Sequence, residues 1–196
     1  DILWFHTVIW PAILLGAGGL NLPTDVPANE YLGIEGDKLS TSRNWAVWVP
    51  DYLERFPPDP IRYHLAAAMP ETSDSDFSWS EYVRRNNDEL VATYGNLVHR
   101  SLTFAYRNFQ GQVPSPGSIQ PEDRWLLSQI TDAIKGVGDN LNGCRFREAL
   151  RLVMVLAQQG NRYLDTTAPW KSLKSDRERC ATSVWTVLQV VAALRS

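Results

Sequence analysis

The sequence predicts a mainly α-helical protein: an antiparallel helix bundle preceded by a small α/β unit. Three observations carry that expectation. After residue 77, four amphipathic stretches follow one another with short connections, a pattern that antiparallel packing satisfies best. Before it, short extended runs and Pro/Gly-rich turns alternate with brief helices. Apolar residues make up 44% of the 196 positions, enough for a packed core in one ordinary domain or in one small domain with part of another.

Residues 4–15 read as a short, nearly all-apolar helix ended by Gly16, Gly18 and Gly19, and such a helix has to be buried in something larger. The apolar run over residues 2–15 has no basic flank and holds His6 and Pro11, so it is not expected to be a signal peptide. It is also too short to span a bilayer, so no membrane association is expected. Residues 21–36 contain two extended stretches, 26–29 and 31–34, and close with a turn at Gly36-Asp37. A polar loop over 38–44 leads to the aromatic and β-branched run Trp45-Ala46-Val47-Trp48-Val49, after which Pro50 and Asp51 start a short helix. One apolar helix and a hairpin cannot cover each other's faces, so the first 50 residues are not self-sufficient.

Asp59 as N-cap and Pro60 at the first helical position predict an amphipathic helix through Met69, followed by a loop over 70–76. Ser78 with Glu81 three residues on forms a capping-box signature. It opens a longer helix to about residue 108, with apolar residues at Tyr82, Leu90, Val91, Tyr94, Leu97, Val98, Leu102 and Ala105. Residues 111–120 form a linker. Pro121 opens a helix to about 141, Asn142-Gly143 breaks it, a third runs over 145–164 and a last over 176–194. The expected division is 1–76 and 77–196.

Cys144 and Cys180 lie far apart with no CxxC spacing, which predicts neither a zinc site nor a disulfide framework and makes a reducing cytoplasm the simplest home. The net charge of −3 argues by itself against a nucleic-acid partner, yet the charge is uneven. Residues 1–80 hold 11 acidic against 4 basic side chains, residues 81–196 hold 11 against 15. A polyanion would favour the second part.

Lys38-Leu39-Ser40-Thr41-Ser42-Arg43-Asn44 resembles the KMSKS loop of class I aminoacyl-tRNA synthetases. The surrounding segments are similar to the methionyl-tRNA synthetase family in particular. Phe5-His6-Thr7-Val8-Ile9-Trp10-Pro11-Ala12 and Val26-Pro27-Ala28-Asn29-Glu30-Tyr31-Leu32 precede the loop in the family's order. Trp48-Val49-Pro50-Asp51-Tyr52-Leu53 and Asp59-Pro60-Ile61-Arg62-Tyr63 follow it. The resemblance covers essentially the whole chain. It implies that residues 1–76 are the end of a Rossmann-type catalytic domain and residues 77–196 the helical anticodon-binding domain.

Adenylate formation places negative charge on departing pyrophosphate, which mobile cations and hydroxyls on a loop can meet as it develops. Lys38, Ser40 and Ser42 suit that role. The family's second motif lysine, the stronger catalytic contributor, is here Thr41, so either Arg43 supplies the cation or activation is weakened. The resemblance further implies a methionine pocket lined by Ile2, His6 and Trp10, spaced i, i+4, i+8 on one helix face, and a ribose contact from Asp1. It implies that Asn96, Arg100 and Trp170 read a CAU anticodon. An aromatic ring, an amide and a guanidinium can together stack and hydrogen-bond an unpaired base. Without the resemblance, Trp170 reads as a rim aromatic and Arg100 as a surface charge. Arg84, Arg85, Arg145, Arg147, Arg162 and Lys171 are candidates for phosphate contacts.

The implied partners are L-methionine, methionine tRNA and ATP with Mg2+, and the chain itself is expected to bind no metal. No HIGH motif, glycine-rich nucleotide strand or zinc-knuckle cysteine pair occurs, so the implied ATP site is incomplete in this polypeptide and calls for a catalytic half supplied elsewhere. Two readings follow: part of a methionine-tRNA ligase, or a truncated paralogue that binds tRNA without catalysis, of which Thr41 would be a symptom.

Overall fold

The computed structural model describes residues 2–195, and Asp1, the expected ribose contact, lies outside them. Residues 2–17 run as one helix, α1: an α-helical turn Ile2–Trp4, a π-helical stretch Phe5–Ile9 and an α-helical segment Trp10–Ala17, ended by Gly18 at φ 70°. It is apolar all round, the composition of a helix that belongs inside a larger body. The chain gives it little cover: Ile2 is 76% exposed and Trp4 67%.

The hairpin forms from β1 (Leu32–Ile34) and β2 (Asp37–Lys38), paired antiparallel. Its turn is Glu35-Gly36, one residue ahead of the expected one. Both residues have positive φ (50° and 82°), as a two-residue turn matched to strand twist requires. The expected loop over 70–76 instead runs into β3 (Ser75–Phe77), which pairs parallel to β1 and completes a sheet of order β2-β1-β3. Gly33 permits the approach, because a Cβ there would sit 2.7 Å from Asp76 Oδ1. Residues 26–29 form no strand, and the Trp45 run contributes only the bridge Ser40–Trp45.

Two short helices follow, α2 (Val49–Leu53) and α3 (Pro58–Ala67). The second starts before the expected position, with Pro57 as N-cap and Pro58 rather than Pro60 as its first residue. Asp59 sits inside the first turn, where its charge meets the positive helix end. These elements enclose a small aromatic core of Ile34, Tyr52, Phe77 and Tyr82. His64, 1% exposed, meets Phe77 and Tyr82 edge-on at 5.1 and 5.9 Å between centroids.

Helix α4 covers residues 79–108 as Trp79–Arg85, a π-helical stretch Asn86–Gly95 and Asn96–Asn108. Ser78 Oγ accepts the Glu81 amide as the capping signature predicts, but the Glu81 carboxylate turns forward to Arg84. Helices α5 (Pro121–Asn142), α6 (Phe146–Thr167), α7 (Pro169–Ser172) and α8 (Arg177–Ala193) complete the bundle. Its core includes Leu97, Leu126, Leu156, Val187 and Val190. Because Tyr82 belongs to the small core and Leu97 to the bundle core, α4 is the strut that joins them. A second tie is Glu71, whose carboxylate accepts the Arg147 amide (2.8 Å) in the first turn of α6.

Candidate functional site

At the far end of α6 the chain turns sharply. Ala168 adopts a left-handed conformation (φ 40°, ψ 60°), and Pro169 restarts the helix with a fixed φ. That turn sets Trp170 against α4, with the Arg100 guanidinium 5.4 Å from its ring centroid. Arg100 is held there by Asp165, one turn back on α6, at 2.6 Å. The result is a cavity of about 350 Å³ with walls from Arg100, Thr103, Arg107 and Trp170 and a floor from Leu164 and Val184. An apolar floor, an aromatic wall and a cation are what a stacked, hydrogen-bonded base needs.

Of the three residues expected here, Arg100 and Trp170 meet. Asn96 is exposed one turn before Arg100 and does not line the cavity. Arg107 and Asp165 are additions that sequence reasoning did not single out. Arg107 lies seven residues after Arg100, hence on the same helix face, a signal that was present. The role of Asp165 depends on how α6 lies against α4, for which spacing gives no signal.

The Lys38–Asn44 loop is closed at its base by reciprocal backbone bonds between Ser40 and Trp45 (3.0 and 2.8 Å), and Asn44 takes φ 51°. Ser40 Oγ accepts the Arg43 amide (3.3 Å) and lies 3.2 Å from Ser42 Oγ. Arg43 donates to the Lys38 carbonyl (3.3 Å), which draws the Arg43 guanidinium back towards Lys38. Ser40 is therefore mainly the loop's internal brace, while Lys38, Thr41, Ser42 and Arg43 are exposed. The Lys38 ammonium lies 6.0 Å from the Tyr31 ring centroid. Two exposed cations with no carboxylate partner among the described residues fit a polyphosphate chemically.

On α1, His6 Nδ1 donates to the Ile2 carbonyl (3.0 Å). A shallow depression of about 420 Å³ is lined by Phe5, His6, Ile9, Trp10 and Ile13. The structure thus brings His6 and Trp10 together and leaves Ile2 outside the depression. The wider π-helical turn over Phe5–Ile9 departs from the regular α-helical spacing on which the expected face rested.

The remaining cations divide sharply. Arg84 pairs with Glu81 (2.9 Å), Arg85 with Glu89 (3.5 Å), and Arg145 donates to Asn140 Oδ1 (2.7 Å). Among the described residues, the side chains of Arg147, Arg162 and Lys171 carry no hydrogen bond or ion pair. No group of three or more His, Cys, Asp or Glu among the described residues could hold a metal ion. No helix among them is long and apolar enough to cross a membrane.

Elsewhere in the bundle Asp123 is fully buried and bonded by Arg179 (2.7 and 2.8 Å), the Tyr163 hydroxyl (2.5 Å) and the Gln120 amide (2.8 Å). Burial alone would raise its pKa; the bonds from Arg179 and Tyr163 outweigh that and hold the carboxyl below its ordinary value. Burial, with the Asp123 carboxylate beside it, pushes the Tyr163 hydroxyl up to about 12.

Residues 1–102 match the family described as tRNA synthetases class I (M), and residues 113–195 match the anticodon binding domain of methionyl tRNA ligase. The methionine–tRNA ligase of Thermomicrobium roseum is 48% identical over 196 residues, covering 100% of this chain and 34% of the relative. That of Roseiflexus sp. is 51% identical, with 100% and 33% covered. The chain spans about a third of the length of these curated relatives. Mycobacterium tuberculosis methionyl-tRNA synthetase, solved in complex with methionyl-adenylate, superposes with a TM-score of 0.89 at 30% identity, covering 99% of this chain and 39% of that one. The chain belongs to the methionine-type class I tRNA synthetases.

Proposed function

We propose that this chain serves the ATP-dependent attachment of methionine to its tRNA, supplying the anticodon-reading bundle and the loop that meets the triphosphate. The observation that carries this reading is the cavity in which Trp170 stands over Arg100, itself held by Asp165. A CAU anticodon base stacks on Trp170, and the Arg100 guanidinium, already oriented, donates to its edge. Asn96, exposed one turn away, suits a neighbouring nucleotide.

At the other end, the exposed cations of Lys38 and Arg43 meet the charge that develops on pyrophosphate, with Ser42 as a hydroxyl donor and Ser40 bracing the loop. Mg2+ enters with the nucleotide. His6 and Trp10 offer an apolar wall suited to the methionine thioether. The division near residue 76 falls inside β3, just ahead of the Ser78 cap of α4, and Tyr82 still packs in the small core, so the first turns of α4 carry the junction. No HIGH-type segment occurs in the chain, so alone it should give no methionine-dependent pyrophosphate exchange.

Filter binding tests the carrying observation. Methionine tRNA should be retained more tightly than a tRNA differing only in the CAU anticodon, and Trp170→Ala should cost roughly 1–3 kcal/mol of affinity with the bundle still folded. Equal, weak retention of both tRNAs, or unchanged binding by Trp170→Ala, refutes anticodon reading. One observation favours a second reading, a tRNA-binding module without catalysis: Thr41 places no cation where the family has one. Robust exchange on supplying a HIGH-bearing catalytic half would eliminate it.

A further inference from the structure

We infer that one exposed stripe of α6, from Arg147 to Arg162, is a contact track for the sugar–phosphate backbone of the RNA whose anticodon occupies the Trp170 cavity; the inference rests on the reading just given. The exposed positions of α6 beyond its first residue are Arg147, Arg151, Gln158, Arg162, Asp165 and Thr166. At about 100° per residue the first five fall within a sector of roughly 60°, so they form one face rather than a scatter. That face ends at Asp165, the residue that holds Arg100 beside Trp170. It begins some 27 Å away along the helix axis at about 1.5 Å per residue. There Arg147 and Arg151 border a cavity of about 580 Å³ between α6 and the α3–α4 side of the molecule.

Within this face Arg151 is paired with Glu148, but the charge of Arg147 and Arg162 is not cancelled by neighbouring side chains. The nearby carboxylates are already engaged: Glu148 with Arg151 (2.6 Å), Glu89 with Arg85 (3.5 Å) and the Tyr63 hydroxyl (2.5 Å), Glu71 with the Arg147 amide (2.8 Å), and Asp165 with Arg100. Among the described residues, the guanidinium groups of Arg147 and Arg162 carry no hydrogen bond or ion pair, and both residues are exposed. Planar guanidinium groups in that state are suited to phosphate oxygens. Phosphate contacts set register without reading sequence, so such a track would hold the RNA while the cavity discriminates. Arg84, though equally exposed, is spent on Glu81, Asp88 and Glu89 and does not belong to it.

The test is the salt dependence of tRNA affinity for the chain, its Arg147→Gln/Arg162→Gln variant, and Arg84→Gln as control. Each lost phosphate contact should reduce the slope of log affinity against log salt by about 1. The double variant should therefore lose about 2 in slope, with the preference for CAU over a changed anticodon intact. Arg84→Gln should keep the parent slope. A double variant that retains the parent slope, or one that loses anticodon preference instead, overturns the track. Failure of anticodon reading appears separately, as unchanged binding by Trp170→Ala.

Discussion

The two ends of this chain bury their apolar residues in opposite ways. Helix α1 carries Ile2, Leu3, Trp4 and Phe5 in succession, and all four are more than half exposed. Helix α8 is no more apolar along its length, yet it buries Val184, Val187, Leu188 and Val190 together with Thr182, Ser183 and Thr186. Its hydroxyls close on their own helix, as Thr186 Oγ1 does on the Thr182 carbonyl (2.9 Å), so burying them leaves little unsatisfied. Burial therefore follows from what the chain can place opposite a face, not from how apolar that face is. The bundle owns its partners; α1 does not.

If so, the bundle should respond strongly to single substitutions, and Asp123 is the polar position where this shows most. Its carboxylate collects Arg179, Tyr163 and the Gln120 amide in a fully buried position. Asp123→Ala leaves the Tyr163 hydroxyl without the Asp123 acceptor and Arg179 with only the more exposed Glu122 (3.1 Å), and removing one partner of such a buried pair costs about 3 kcal/mol or more. Urea unfolding measures it, and a loss below about 1 kcal/mol would mean the network contributes no more than an exposed ion pair.

Next in size is Gly160, where α6 passes close to α4 and α8. A Cβ there would lie 2.9 Å from Leu97 Cδ2 and 3.3 Å from Val190 Cγ1. Gly160→Ala should destabilise by about 1–3 kcal/mol through overpacking, against the gain that Ala normally brings to a helix. Gly138→Ala on α5, with nothing within 4 Å, should instead stabilise by up to about 1 kcal/mol. Equal signs for the two would remove close packing as the reason for Gly160.

The small aromatic core adds a pH-dependent term of its own, distinct from that of the Asp123 carboxylate in the bundle. Among the described residues His64 has no partner for either ring nitrogen, and it is enclosed by Phe77 and Tyr82. Burial pushes its pKa below 6.5, assisted by the nearby Arg85 and Arg84 and opposed by Glu81 and Glu89. The unfolded chain then binds a proton that the folded one does not. This stability is present above about pH 6.5 and is lost as pH falls through the depressed folded pKa. His64→Phe should flatten the stability profile between about pH 7 and pH 5 while keeping the aromatic packing. An unchanged slope in that variant would assign the acid sensitivity elsewhere.

Legibility in the sequence followed locality. The bundle helices announced themselves through Pro121, the Ser78 cap, Asp176 and the apolar repeat, all within one or two turns of the residues they govern. Strand β3 did not, because three residues, two of them polar, pair in parallel with a strand some forty positions away. Likewise Trp170 and Arg100 were recognisable on motif grounds, whereas Asp165 as the holder of Arg100 depends on interhelical geometry. The left-handed turn at Ala168 that positions Trp170 had no glycine or asparagine to mark it.

The smallest expected effect sharpens the contrast most. Leu3 is 53% exposed on α1, and Leu97 is fully buried in the bundle. Leu97→Ala should cost about 2–5 kcal/mol, whereas Leu3→Ala should change the unfolding free energy of this chain by no more than about 0.5 kcal/mol, since more than half of Leu3 is already exposed and both residues suit a helix. The informative version adds a covering partner. If α1 is an interior helix that simply lacks its cover here, Leu3→Ala should remain neutral in the chain alone and become costly once a catalytic half is supplied. A cost of 2 kcal/mol in the chain alone would show that α1 already folds onto the molecule, and the asymmetry between its two ends would disappear.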